Sequence, residues 1–491
     1  MVALICPEQL WDHQKNVIQK SWDKPAYAYF MEQGTGKTPT AVIQLRNLFQ
    51  KHGRPLKTLI VCPAIVIDNW AREIEQWAPL CSKFVQPLTG SCKERIALLD
   101  TPGKHIFITN YEAFDMPELF WKPVFKLDKK TEKMVQTEER PLVDRGFEVL
   151  IADESHRLKN PTAKRTKLSF KIADKTAYRR ILTGTPILQS PMDIWSQFRL
   201  LDGGASFGDN YYAFRNQWFV DKNAGMPSQR HFPNWQLKES AAADLHRLIY
   251  NKATRVEKKD CLDLPPLVMQ QLYVELSREQ RKHYEEMKRD FITYLGSSAC
   301  TASIAITKAL RMAQIVSGFL PVETENGAAK VQFNNCERLT ALKDLLEDYC
   351  ESGKVIVWAV FHQNYEQIAY VCRKLGLDCA MLTGQQNQKE KEKSVNDFTK
   401  GSLPVLIANP GAGGTGVNLT QAPVSIWYSR NFNLEHRLQA LARNHRGGSE
   451  MHEKITCIDL VARDSLDVHI LQALENKENI AQAILGWAAK I

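Results

Sequence analysis

Short apolar runs arranged in two blocks dominate the hydrophobic pattern of this chain. The first block holds Tyr27–Met31, Thr58–Val66, His105–Thr109, Phe147–Ala152 and Arg179–Leu182. The second holds Lys354–Val360, Asp378–Leu382, Leu403–Ala408, Val424–Tyr428 and Lys454–Leu460. Runs that are apolar at nearly every position suit parallel strands covered on both faces; a half-exposed strand would alternate. Helix-periodic stretches separate them, so the expected class is α/β, with two parallel-sheet lobes in tandem.

The texture changes from about Asp193 to Asn335, where aromatics and charges increase and strand signals fade. Helices are predicted over Ser277–Tyr294 and Thr301–Val316, with Leu264-Pro265-Pro266 as a rigid extended break. Residues 201–335 are read as a helical insertion between a first lobe over 1–200 and a second over 336–463. Within the first lobe, Asp115–Arg145 is charged and broken by prolines, and reads as an insertion loop. Beyond Asp464, Leu466, Ile470, Leu471, Leu474, Ile480, Ile484 and Leu485 recur at helical spacing and predict a closing helix over 464–491.

At 491 residues the chain is too long for one ordinary core, and its 44% apolar content suffices for two or three. The 11 cysteines include no Cys-x-x-Cys pair, which argues against a zinc site and for a reducing compartment. The start, MVALICPEQLWDHQ, lacks the basic and apolar regions of a signal peptide, and no apolar run approaches a membrane span. A soluble, cytoplasmic protein is expected. The net charge of +9 permits a polyanionic partner without requiring one.

Chemistry enters at Gly34-Thr35-Gly36-Lys37-Thr38, which follows one apolar run and precedes a helical one. Glycines in that context let backbone N–H groups approach phosphates, and the helix N-terminus adds positive dipole. Lys37 would reach the β- and γ-phosphates of ATP, and the Thr38 hydroxyl would hold magnesium. The general pattern has a glycine five residues before Gly36; here that residue is Met31. About a hundred residues on, the run ending at Ala152 delivers Asp153 and Glu154 to a strand terminus, where open α/β sheets bind ligands. Asp153 would complete a magnesium shell and Glu154 would orient and deprotonate the attacking water. Far downstream, Gln439–Gly448 carries Arg443 and Arg446, read as lying on one helical face and suited to charge developing on a γ-phosphate.

Together these residues resemble the superfamily-2 helicases. Asp153-Glu154-Ser155-His156 resembles their DEAH motif, Leu182-Thr183-Gly184-Thr185-Pro186 the motif linking hydrolysis to motion, and Gln439–Gly448 the sixth motif. The finer resemblance is to the Swi/Snf-type branch, through Leu59–Trp70, Ile108–Glu112, His156–Asn160, Leu264–Pro266 with Tyr273–Ser277, and Gly411–Leu419. It covers nearly the whole chain in the right order and looks like a compact bacterial or viral form.

The resemblance implies two RecA-like lobes, ATP and Mg as cofactors, and duplex DNA bound without sequence preference. It implies that Gln14 reads adenine, although His13 replaces the usual aromatic. Arg443 and Arg446 would be arginine fingers acting when the lobes close, Gly416 would face the nucleotide, and Thr183, Thr185 and Gln439 would couple hydrolysis to motion. Phosphate contacts would come from Asn69, Thr109, Asn110 and Lys159 in the first lobe, and from Thr383, Gly384, Gly413 and Gly414 in the second. Three readings compete: a DNA-stimulated ATPase translocating on duplex, a strand-separating or annealing helicase acting on DNA or RNA, and an inactive nucleotide-gated scaffold.

Overall fold

The computed structural model describes the chain except for residues 1–3, 128–133, 188–189, 226–232, 262, 297–301, 325–326, 334, 414–416 and 476–491. It divides into two compact units, Met1–Leu262 and Asp263–Ile491.

The first unit contains β1 (Ala26–Met31), β2 (Thr58–Cys62), β3 (Val85–Pro87), β4 (Ile106–Asn110), β5 (Lys122–Leu127), β6 (Met134–Glu139), β7 (Val149–Asp153), β8 (Tyr178–Leu182), β9 (Phe219–Asp221), β10 (Trp235–Leu237) and β11 (Ala253–Val256). Seven of these form a sheet in the order β11-β1-β8-β7-β2-β4-β3, with every neighbouring pair parallel. Both faces are covered, which is why the strands read as unbroken apolar runs. Along β1, Tyr27, Tyr29 and Met31 pack with Val42, Leu45 and Leu48 of the helix Lys37–His52. Ala28 and Phe30 face the other way, into a core with Phe198 and Leu201.

The second unit contains β12 (Leu267–Val274), β13 (Phe319–Thr324), β14 (Gly327–Gln332), β15 (Val355–Trp358), β16 (Cys379–Leu382), β17 (Val405–Ala408), β18 (Val424–Trp427) and β19 (Ile455–Ala462). Its sheet runs β12-β19-β18-β15-β17-β16, again parallel throughout. Trp358 and Trp427 are register partners, fully buried, with ring centroids 5.9 Å apart. The helix Leu434–Asn444 is tied to this sheet by Arg437, which donates to both carboxylate oxygens of Asp459 at 2.8 and 2.6 Å. Burial pushes the Asp459 carboxyl up, but Arg437 and Arg430 together hold it below its usual range.

Every predicted apolar run contains a strand, so the α/β class and the two parallel-sheet lobes stand. The domain limits differ from expectation. Residues 201–262 belong to the first unit, because β11 pairs with β1. Residues 263–335 belong to the second, because β12 pairs with β19 along its whole length. Residues 201–335 are thus not one insertion, although the expected helices are present at Arg278–Gly296 and Ala302–Val316. The stretch read as a loop over Asp115–Arg145 contains the antiparallel hairpin β5–β6. The closing helix is described over Leu466–Glu475; Ile480, Ile484 and Leu485 lie outside the described residues.

Candidate active site

Parallel strands deliver their following loops to the same sheet edge, and β8 lies between β1 and β7. The loop after β1 holds Gly34 to Gly36, the loop after β8 holds Thr183 to Thr185, and Asp153 and Glu154 close β7. The middle loop sits tightly on the first. A Cβ built on Gly184 would stand 3.2 Å from Glu32 Cα and 3.3 Å from both Gln33 N and Met31 O. Only glycine permits that approach without a backbone shift.

Gly34 and Gly36 adopt φ of 87° and 81°, the left-handed region that glycine enters without steric cost. The Thr35 hydroxyl is buried and donates to Glu32 O at 2.8 Å, so it braces the loop from within. Lys37 and Thr38 occupy the first turn of the helix Lys37–His52, which carries no acidic residue there to neutralise its N-terminal dipole. A second brace comes from the helix Asp12–Ser21. His13 Nε2 contacts Thr35 O at 2.8 Å, and Gln14 donates from Nε2 to Gly36 O at 3.1 Å. Gln14 Oε1 accepts from the Trp11 N–H at 2.8 Å, so both ends of this buried amide are engaged with the chain. Trp11 is 42% exposed, and its ring lies 5.4 Å from His13 beside the loop.

The two carboxylates differ. Asp153 is buried, and burial reinforced by the adjacent Glu154 charge pushes its carboxyl up to about 6, with Lys37 opposing the shift. Glu154 is one of two non-glycine residues with positive φ among those described, at φ 52° and ψ 50°. That conformation costs on the order of 1 kcal/mol or more and turns its side chain away from the strand direction. Asp153 Oδ1 stabilises it by accepting the Glu154 N–H at 3.0 Å. Excess negative charge in a buried site with a single lysine close by fits a cation. Asp153 and Thr38 are the residues suited to hold magnesium, which when bound would neutralise phosphate charge.

Two neighbours of Asp153 carry no signal of their role in the sequence. Trp70, buried in the helix Ile67–Trp77, donates its indole N–H to Asp153 Oδ2 at 3.0 Å. Tyr111, buried at the end of β4, donates its hydroxyl to Asp153 O at 2.6 Å. Trp70 closes the motif Leu59–Trp70, but nothing in its spacing marks an indole as a carboxylate's partner. Trp70→Phe keeps the ring and deletes the donor. Binding of Mn2+ with nucleotide, followed by electron paramagnetic resonance, is expected to weaken about tenfold, the usual scale for losing a group behind a metal ligand. Unchanged Mn2+ affinity would remove Trp70 from that role.

Between the loops, His156 Nδ1 lies 2.8 Å from Thr183 Oγ1 and 3.4 Å from Glu154 Oε2. Thr183 Oγ1 also accepts the Thr185 N–H at 3.1 Å. Ser155 donates to Gln197 Oε1 at 2.8 Å, and Gln197 donates onward to Pro186 O at 2.6 Å. A shift in the middle loop therefore pulls directly on the residues flanking Glu154. Gln197 carried no sequence signal.

The expected nucleic-acid contacts fare unevenly. Thr109 and Asn110 are buried, and Arg95 donates to both side chains at 3.2 and 2.8 Å, so Thr109 faces the interior. Lying at the end of a strand covered on both faces, they need an internal partner for their polar groups. Asn69 is half-buried, as is Lys159, whose ammonium lies 3.9 Å from Asp193. In the second unit Thr383 is buried, and its N–H donates to Gln386. Gly384 borders open space, and Gly413 ends the short helix Pro410–Gly413. Gly414 and Gly416 lie outside the described residues.

Gln439 is buried and donates to Glu435 at 2.8 Å. Arg443 is buried in the same helix, but Arg446 is not on it. The helix ends at Asn444, and His445 leaves helical geometry at φ −103° and ψ 80°. The two arginines therefore do not share one helical face: the chain turns through His445, whose Nε2 contacts Pro265 O at 3.0 Å, toward Gly447 and Gly448.

Residues 29–320 match the model of the SNF2-related domain, and residues 337–448 match that of the helicase conserved C-terminal domain. The chain is 27% identical over 462 residues to protein p41 of Acyrthosiphon pisum secondary endosymbiont phage 1, covering 92% of both chains. It is 24% identical to an uncharacterized ATP-dependent helicase of Mycoplasma genitalium, with 92% of this chain matching 40% of that one. It is also 24% identical to the CHD3-type chromatin-remodeling factor PICKLE of Arabidopsis thaliana, of which it spans 34%. Among solved structures, it is similar to the SWI2/SNF2 ATPase core of Sulfolobus solfataricus in complex with dsDNA, at 20% identity and a TM-score of 0.43, covering 99% of this chain and 97% of that one.

Proposed function

Since this chain belongs to the SNF2-related family of ATP-dependent, helicase-type ATPases, we propose that it is a DNA-stimulated motor that translocates on double-stranded DNA. The observation carrying this reading is the set of three loops on neighbouring strands, with Gly184 seated on the phosphate loop and Thr183 touching His156 beside Glu154. Movement of one loop must be felt by the others, which is what a motor needs of its nucleotide site.

In this reading the loop Gly34–Thr38 binds the triphosphate, with Lys37 on the β- and γ-phosphates. Thr38 and Asp153 would hold magnesium, which when bound would supply charge that neutralises phosphate. Glu154 orients water and accepts its proton. Gln14, which also braces the loop through Gly36 O, reads the adenine, and Arg443 and Arg446 stabilise charge on the γ-phosphate. Thr183, Thr185 and Gln439 link hydrolysis to movement. Asn69, Lys159, Gly384 and Gly413 approach the DNA backbone. Thr109, Asn110 and Thr383 contribute through main chain and loop shape, since their side chains are turned inward.

ATP hydrolysis measured without nucleic acid and with duplex DNA, single-stranded DNA or RNA at matched salt tests the proposal. Strong stimulation by duplex, followed by displacement of a triplex-forming strand, supports translocation. Stimulation by single strands or RNA alone transfers the reading to a strand-separating helicase. Arg446→Ala is expected to lower the turnover of bound ATP by about two to three orders of magnitude while leaving nucleotide affinity nearly intact, as for other groups that act on transition-state charge. Rapid-quench hydrolysis beside nucleotide titration checks it. A loss of affinity with turnover preserved would contradict the assignment.

A further inference from the structure

At the opposite end of β1 from the phosphate loop, an open cleft of about 740 Å³ lies against the edge strand β11. A strand of β1's length separates the two places by roughly 15 Å. Lys20 and Lys24, both exposed, stand on one side of the cleft. His246, Tyr250 and Asn251 stand on another, and Arg255 rises from β11. No acidic side chain lines it among the described residues.

Three observations give this cleft a chemical character. First, Lys20 and Lys24 form no ion pair among the described residues; Lys24 instead lies over the Tyr27 ring, 4.9 Å from its centroid. Arg255 is paired, at 2.7 Å, to Glu257, and Lys259 holds that same carboxylate at 2.8 Å. Second, the segment carrying Lys24 rests on a buried guanidinium. Arg180 donates to Ser21 O, Lys24 O, Pro25 O and Arg179 O at 3.0, 2.6, 3.1 and 2.8 Å, and these partners are carbonyls, not carboxylates. Carbonyl dipoles engage its two terminal nitrogens, while its buried Nε–H finds no acceptor, and none of these contacts cancels its charge, so it adds to the positive potential at the cleft. Third, the His246 and Tyr250 rings lie 4.4 Å apart and tilted by 42°, forming an aromatic wall beside the cations.

We propose that this cleft is a nucleic-acid site separate from the motor's track, taking one or two nucleotides of a single strand. Phosphates meet Lys20 and Lys24, and a base lies against the His246–Tyr250 wall. Cations alone would suit any polyanion, including an acidic peptide. Cations beside an exposed His246 ring and a half-buried Tyr250 ring suit phosphate and base together, because every base offers a π-face to stack. The inference does not require that the chain move on DNA. It requires only that the cleft accept a strand.

The test uses the full chain and an oligothymidylate carrying 5-iodouracil. Photo-crosslinking with peptide mapping is expected to label the segment containing His246 and Tyr250. Lys20→Glu with Lys24→Glu is expected to abolish that label while labels elsewhere persist, and to weaken binding of the strand about tenfold. The plot of log affinity against log salt should become shallower by at least about 1.4, at roughly 0.7 for each phosphate that is no longer neutralised. ATP hydrolysis without nucleic acid reports that the variant is folded and should match the parent, since neither lysine lies near the phosphate loop. The milder Lys20→Gln with Lys24→Gln should show the same trend at smaller size. Crosslinks confined to other segments, with affinity and salt slope unchanged by either variant, would overturn the proposal and leave the motor reading standing. Absence of any strand binding by the parent overturns it outright. A poly-glutamate peptide that binds with equal dependence on both lysines, without crosslinking at 246–250, would assign the cleft to an acidic peptide instead.

Discussion

Glu154→Gln is expected to bind ATP as the parent does while hydrolysing it about two to four orders of magnitude more slowly, the scale of losing a general base. Glutamine keeps the size of the side chain and can still reach His156, now 3.4 Å from Glu154 Oε2, but it cannot take a proton from water. The substitution also removes the charge that, after burial, does most to push up the Asp153 carboxyl. Asp153 then ionises more readily, so affinity for a magnesium nucleotide has no reason to fall. Single-turnover hydrolysis of radiolabelled ATP, beside titration with a fluorescent analogue, separates the two quantities. Parental turnover in this variant would take Glu154 out of the reaction.

Lys37→Ala should fail in the complementary way. Lys37 stands at the N-terminus of the helix Lys37–His52 and opposes the upward shift of Asp153. Its loss deprives the triphosphate of a charge-assisted donor and leaves two carboxylates closer to unopposed. Nucleotide affinity is expected to drop first. At saturating ATP, turnover should remain depressed by about two to three orders of magnitude, comparable to removing a donor aimed at developing charge. Calorimetric titration and steady-state hydrolysis over a wide ATP range check both parts; undiminished hydrolysis would mean that the phosphates bind elsewhere.

Much of the fold is legible in the sequence, for physical reasons that also explain the failures. Strands such as β2, TLIVC, are buried at every position, so their apolar runs announce them. The edge strand β11, ATRV, leaves Thr254 half-buried and Arg255 exposed, and four residues of mixed polarity look like a loop. The edge strand β12, LVMQQLYV, leaves most of its positions exposed, including Met269 and Tyr273, so neither signature of a strand is clean. Without these two strands the boundary falls wrongly at 200. At the site, Lys37, Asp153 and Glu154 can be found because their spacing along strand and turn is local. Trp70, Tyr111 and Gln197 meet their partners at separations of 83, 42 and 42 residues, through packing that no short window reports. Arg446 departs from expectation for a local reason: the helix stops two residues before it, ahead of a glycine pair that favours a turn.

The pairing of β1 with β11 has a consequence for how the protein is made. The Tyr27 and Thr254 hydroxyls, 2.8 Å apart, join residues separated by 227 positions. A ribosome adding about 5–20 residues per second needs roughly 10–45 s to travel between them. Until β8 is made, the strand that carries the phosphate loop has no neighbour in the sheet; from then until β11 is made it is a sheet edge, with a row of unpaired backbone groups on one side. Nascent chains should therefore be vulnerable to strand exchange with one another until β11 emerges. Slowing elongation across residues 182–253 should raise aggregation, whereas slowing it near the C-terminus, once β11 has left the ribosome, should not.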